Sequence, residues 1–199
     1  MTRTFRRSIG FALTVMLVSG CALIVPPAAP TVYDLFVSDR FATIAGDTPS
    51  QILIANPKVL SSLDNDRILI KPSVAEISYL GDVRWSDKTP RLLQAYISRA
   101  LAKSGGARAV GLPGDGLLID HQLLLDIRAF QIEVAESGTR ARVEFGVRIL
   151  NDKNGLVIAS QTFETAVPAS DDAVGAVKAL NEALDRVTAD LLTWVYAKI

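Results

Sequence analysis

The sequence predicts an α+β fold, an antiparallel or mixed β-sheet with two long helices packed on one face. Three observations carry this. Ala141, Val143, Phe145, Val147 and Ile149 alternate strictly with Arg140, Arg142, Glu144, Gly146 and Arg148, the period-two pattern of a strand with one buried and one wet face. Two other stretches, one from Thr89 to Gly105-Gly106 and one from Ser170 to the C-terminus, space their apolar residues three and four apart, as helices lying on a sheet require. Apolar residues make up 49% of the 199, enough for one well-filled core.

The elements follow in order. Arg3, Arg6 and Arg7 precede an uncharged, mostly apolar run from Ile9 to Val18. This run is about half the roughly 20 residues that a membrane-spanning helix needs, so residues 1–20 read as a secretion signal. The signal ends in Leu17-Val18-Ser19-Gly20-Cys21, which resembles the lipobox of bacterial lipoproteins. There the thiol accepts a diacylglyceryl group, small residues admit the peptidase, and each buried methylene adds roughly 0.8 kcal/mol of anchoring. Cys21 is the lipidation candidate and the one cysteine of the chain. Ala22 after it favours the outer membrane by resemblance to enteric sorting signals. Residues 21–30, with Pro26, Pro27 and Pro30, read as an extended tether of roughly 30 Å. The domain then covers residues 31–199.

Within it, Thr31 to Val37 is β-branched and aromatic and reads as a strand. Further strands are expected at Gln51 to Ala55, Arg67 to Lys71 and Ala75 to Leu80, separated by Asn56-Pro57 and Pro72-Ser73. The first helix opens on Thr89 as cap and Pro90 at its first position. It buries Leu93, Tyr96, Ile97, Ala100 and Leu101, and Gly105-Gly106 stops it. Ala107 to Leu112 is a short strand closed by a turn at Pro113-Gly114-Asp115-Gly116. Leu123, Leu125 and Ile127 then alternate in one phase and Phe130, Ile132 and Val134 in the other, so a bulge is expected near Arg128-Ala129. After the strand at 140–149, Asp152-Lys153-Asn154-Gly155 makes a hairpin and Leu156 to Val167 returns antiparallel. Ser170-Asp171-Asp172 caps the last helix, in which Val174, Val177, Leu180, Leu184, Val187, Leu191 and Trp194 or Val195 keep the helical period.

Composition narrows the chemistry. Lys and Arg number 21 and Asp and Glu 21, with one His. No basic footprint for nucleic acid results, and removing the signal takes away three arginines and no acid. One Cys and one His supply neither an internal disulfide nor a catalytic zinc site. The Asp152–Gly155 loop lacks the spaced acids of a calcium loop, so no metal or cofactor is expected. No nucleophile elbow, phosphate loop or dinucleotide motif is present. Asp120-His121 is the one imidazole beside a carboxylate, a candidate for a hydrolase if a distant Ser joins it. Arg140, Arg142 and Arg148 read as the solvated side of a strand, paired with nearby acids.

The lipobox, the proline tether, Tyr33-Asp34-Leu35, Leu63-Asp64-Asn65-Asp66-Arg67-Ile68 leading into a strand, and Ile77-Ser78-Tyr79 followed by Trp85 before a helix together resemble the ABC-type transport auxiliary lipoprotein family, which includes the outer-membrane lipoprotein of the Pqi system. The resemblance implies a non-enzymatic, periplasm-facing lipoprotein at the outer membrane. Its implied partners are an MCE-domain protein and the ATPase and permease of an ABC transporter, moving lipids or other hydrophobic molecules, and it implies homo-oligomers as an option. Tyr79 and Trp85 are candidates for a partner contact near the first helix. Two other readings stand beside this one: a structural envelope lipoprotein without transport, and a lipoprotein hydrolase using His121.

Overall fold

The computed structural model describes residues 29–136 and 138–199. The expected signal at 1–20, the lipidation candidate Cys21 and the expected tether up to residue 28 lie outside the described residues. In chain order the elements are β1 (Thr31–Tyr33), a 3-10 turn (Asp39–Thr43), β2 (Thr48–Ile54), β3 (Lys58–Val59), β4 (Leu69–Lys71), β5 (Ser78–Tyr79), β6 (Val83–Trp85), α1 (Thr89–Ser104), β7 (Ala107–Gly111), β8 (His121–Ala135), β9 (Gly138–Asn151), β10 (Val157–Pro168) and α2 (Ala173–Lys198).

The sheet is mixed and organised around β8. On one side β8 pairs antiparallel with β9 from His121↔Asn151 to Ala135↔Gly138, and β9 pairs antiparallel with β10. On its other side three short strands follow one another along its length, all parallel to it: β2 at His121–Leu123, β3 at Asp126–Ile127 and β4 at Gln131–Glu133. Beyond β2 lies β7, also parallel. Of the two sheet types expected, antiparallel or mixed, the sheet is thus the mixed one. The chain leaves β2 and returns through α1 before β7, and a crossover of that kind restores the strand direction.

Local chemistry explains the boundaries. The first strand ends at Tyr33 rather than Val37, because Asp34 Oδ1 accepts from the Leu35 N–H at 2.9 Å and from Ser86 Oγ at 2.9 Å, and that turn breaks the extended run. β1 pairs with β6 in a small parallel sheet of two strands. β2 begins three residues earlier than expected, and its register with β7 shifts between Thr48 and Gln51. That irregularity accommodates Pro49 in a strand. The cap of α1 also differs. Lys88 holds the cap position without a side-chain bond and Thr89 is already helical. The Thr89 hydroxyl and N–H both donate to the Asn65 carbonyl, at 3.1 and 2.9 Å. Gly105 stops the helix in the left-handed region at φ 69°, which glycine enters without a Cβ penalty. Asp172 caps α2, accepting from the Gly175 N–H at 2.9 Å, and this bond holds its carboxyl below the usual range.

The expected bulge is present, between Ile127 and Ala129. It lets both phases of β8 reach one side: Leu123, Leu125, Ile127, Phe130 and Ile132 are all buried, against the buried run Ala141 to Ile149 of β9. Both helices cover this side. α1 contributes Leu93, Tyr96, Ile97, Ala100 and Leu101, and α2 contributes Leu180, Leu184, Val187, Leu191 and Val195. Val174, expected in that stripe, is exposed, because it sits in the first turn of α2 beyond the edge of the core. Tyr96 OH donates to Asp185 Oδ1 and joins the helices. Burial, with Asp185 beside it, raises the phenol, and burial also raises the Asp185 carboxyl against the hydrogen bond that lowers it.

The opposite side of β8–β9–β10 is open and ion-paired. Arg142 reaches Glu144 at 2.7 Å, Glu164 at 3.3 Å and Glu133 at 3.5 Å. Burial opposes its charge, and these carboxylates outweigh that and raise it.

Candidate functional site

Each residue singled out in the sequence has a definite place. Trp85 is 2% exposed and stacks on Phe130 with ring centroids 5.5 Å apart. It is a core residue, and the surface contact expected of it is corrected on that ground. Tyr79, at the outer edge of β5, is half-buried. Its hydroxyl donates to the Ser62 carbonyl at 3.1 Å, and the Arg67 guanidinium lies 3.8 Å from its ring centroid. Arg67 thus covers one side of that ring, a cation–π arrangement.

His121 opens β8 beside a cavity of about 270 Å³ lined by Pro49, Ser50, Arg108, Asp120, His121, Asn151 and Lys153. Its Nδ1 is buried without a hydrogen-bond partner. Asp120 does not orient the imidazole. Its Oδ2 accepts from the Gln51 N–H at 3.0 Å and its Oδ1 pairs with Lys153 at 3.0 Å. The Gln51 bond first, and then Lys153, holds its carboxyl below the usual range. A triad needs a carboxylate on the imidazole N–H, and here both carboxylate oxygens are engaged elsewhere. Among the described residues no group of three or more His, Cys, Asp or Glu side chains is arranged to hold a metal, and no helix is long and apolar enough to cross a membrane.

The feature that sequence reasoning missed is at the other end of β8. Val134, expected on the core side, is 46% exposed, near the end of β8 and opposite the first turn of α2. Beneath it a pocket of about 340 Å³ opens between β4 and α2, lined chiefly by Ile70, Leu80, Ile132, Val134, Thr139 and Ala176. A wider cleft of about 740 Å³ lies across the strand, between Lys71–Val74 and the β8–β9 hairpin. Val74, Ile77 and Val174 project into solvent around this end, Val74 at 94% exposure. The signal available beforehand was slight: Val74 follows Pro72-Ser73, and Ile77 falls in a run expected as a strand from Ala75 to Leu80, of which only Ser78–Tyr79 is strand.

A model of the ABC-type transport auxiliary lipoprotein component matches residues 33–191. The chain belongs to this family. Among solved structures, protein XCC0632 from Xanthomonas campestris is 27% identical, with a TM-score of 0.75 over 84% of this chain and 96% of that one. A second crystal structure, at 12% identity and TM-score 0.67, shares the fold. The uncharacterized protein bll6063 of Bradyrhizobium diazoefficiens is 31% identical over 169 residues, which are 84% of this chain and 45% of that protein. The chain therefore spans less than half the length of that relative. The family is described as the auxiliary lipoprotein component of ABC-type transport.

Proposed function

We infer that the chain is an outer-membrane lipoprotein, acylated at Cys21 and facing the periplasm. It serves an ABC transporter and an MCE-domain protein that move lipid or another hydrophobic solute between the two membranes. It acts by binding its partners and not by bond chemistry. The observation that carries this reading is the family match over 33–191, placed directly downstream of a lipobox that holds the single cysteine of the chain. The pairing of Asp120 with Gln51 and Lys153 supports the non-catalytic part, since it leaves His121 without an orienting acid. With Trp85 in the core, the contact expected near α1 rests on half-buried Tyr79, and the exposed Arg67 that covers its ring joins it.

The test is fractionation and capture from native membranes. The expected result is a diacylglyceryl group on Cys21, sedimentation with the outer membrane, and co-purification with the MCE-domain protein of the same system. Cys21→Ala is expected to release the protein from the membrane fraction. An unmodified Cys21 in a freely soluble periplasmic protein overturns the reading, and so does failure of the acylated protein to capture an MCE-domain protein.

A further inference from the structure

We propose that the end of the domain formed by the β8–β9 hairpin and the 72–77 loop lies against the lipid bilayer, with Val74 and Ile77 in contact with its interface. The proposal rests on the lipidated Cys21 of the preceding reading and adds an orientation to it. The described chain starts at this end. The Thr31 N–H donates to the Asp82 carbonyl at 2.8 Å, two residues after Leu80, which lines the apolar pocket with Ile70 and Val134. β4 fixes the level along the sheet, because Leu69 pairs with both Tyr79 and Gln131 and Lys71 pairs with Glu133. Thr31 therefore stands beside the last third of β8.

Chain length then decides between the two ends. Thr31 stands ten positions after Cys21, a reach of at most about 35 Å even fully extended. From the level of Gln131 to the hairpin tip is only about 13 Å along β8, whereas the His121 end is roughly 33 Å away. The His121 end also exposes apolar side chains, Leu118 and Leu156. It meets the anchoring surface only if the connecting residues run back along the whole domain at nearly full stretch. The hairpin end meets it without stretching. What it presents there is apolar: Val74, Ile77, Val134 and Val174 at the surface, beside a pocket whose lining is mainly hydrocarbon. Acidic and basic groups are mixed in the adjoining cleft, Lys71 and Arg142 with Glu133 and Glu136, so the contact depends on these apolar side chains and not on attraction to anionic headgroups.

The experiment uses the full-length acylated protein in phosphatidylethanolamine–phosphatidylglycerol vesicles. Acylation consumes the one native thiol, so a cysteine introduced by Val74→Cys takes an environment-sensitive fluorophore selectively, and Lys153→Cys at the far hairpin is the control. The expected result is blue-shifted emission at position 74 that is quenched by lipids brominated on their acyl chains, and water-like, unquenched emission at position 153. Val74 is almost fully exposed, so the substitution leaves folding intact. Water-like emission at both positions overturns the orientation, as does a shift at 74 that follows protein density and not bromolipid, which would mark a second copy as the occupant. Mass spectrometry of Cys21 on the same sample separates the two readings. An unmodified thiol removes the lipoprotein assignment, whereas an acylated Cys21 with a water-exposed probe at 74 removes the orientation alone.

Discussion

The guanidinium of Arg128 lies over Gly146 on the open side of the sheet, with Nη2 2.8 Å from where a Cβ on that glycine would stand. Gly146 pairs with Asp126 across β8 and β9, and Arg128 is the extra residue of the bulge. The missing side chain is what lets Arg128 fold back onto Asp126 at 3.1 Å and Glu144 at 3.5 Å. The arginine at the bulge thus occupies the space that a glycine leaves in the neighbouring strand.

Gly146→Ala tests this dependence. The clash is with the end of a flexible side chain, and alanine is the better strand residue, so the change is expected to fall within about 0.5 kcal/mol of wild type. In an Arg128→Ala background the same substitution is expected to stabilise by about 0.5–1 kcal/mol. A double-mutant cycle by urea unfolding reads the difference. Equal effects in both backgrounds would show that Arg128 and Gly146 do not interact.

Gly106→Ala is expected to behave otherwise. Its added Cβ would stand 2.6 Å from the Gly46 carbonyl oxygen and 2.8 Å from Tyr196 Cζ, and the carbonyl is backbone that does not swing aside. A loss of about 1–3 kcal/mol is expected from overpacking, seen as a lower melting temperature. Tyr196→Ala added to it relieves one of the two clashes, so the double variant recovers less than the full loss.

Trp85→Ala removes a side chain stacked on Phe130 in the core, and the expected cost is about 3–5 kcal/mol. Tyr79→Phe removes the hydroxyl that donates to the Ser62 carbonyl and accepts from Asn65 Nδ2 at 3.5 Å, for about 1 kcal/mol. Chemical denaturation checks both. Unchanged stability of Trp85→Ala with loss of partner capture would return Trp85 to the role of a contact residue.

Asp120 gives a pH dependence whose sign is defined. Its folded pKa is depressed by the Gln51 N–H and by Lys153, so its stabilisation is present above the unfolded carboxylate value of about 3.9 and is lost as pH falls through the lower folded value. Asp120→Asn is therefore expected to be less stable than wild type near neutral pH and to converge with it at an acid pH below the folded value. Denaturation midpoints at the two pH values measure this. A constant offset at both would show that the carboxylate charge is not involved.

Much of the fold was legible because its signals are local. The period of β9, the spacing in α1 and α2, the Gly105 stop and the phase slip at Arg128 all follow from the order of side chains along one strand or helix. Strand direction was not legible. β2, β3 and β4 are each too short to carry a register signal, and their parallel pairing with β8 depends on the path that the chain takes between them. For the same reason the 3-10 turn that buries Phe41 edge-on against Tyr96, 6.2 Å between ring centroids, had no clear periodic mark.

The candidate site divides along the same line. By itself the sequence determined the α+β class, most of the helix and strand phases, the single cysteine after Leu17-Val18-Ser19-Gly20 and the resemblance that the family match bears out, since these depend on which residues stand next to one another. Only the tertiary structure decided that Trp85 is core, that Asp120 is held by Gln51 and Lys153 instead of His121, and that Val134 lies beside an open pocket between β4 and α2. Burial and pairing of this kind are set by contacts between residues far apart in the chain, which no local pattern of side chains encodes.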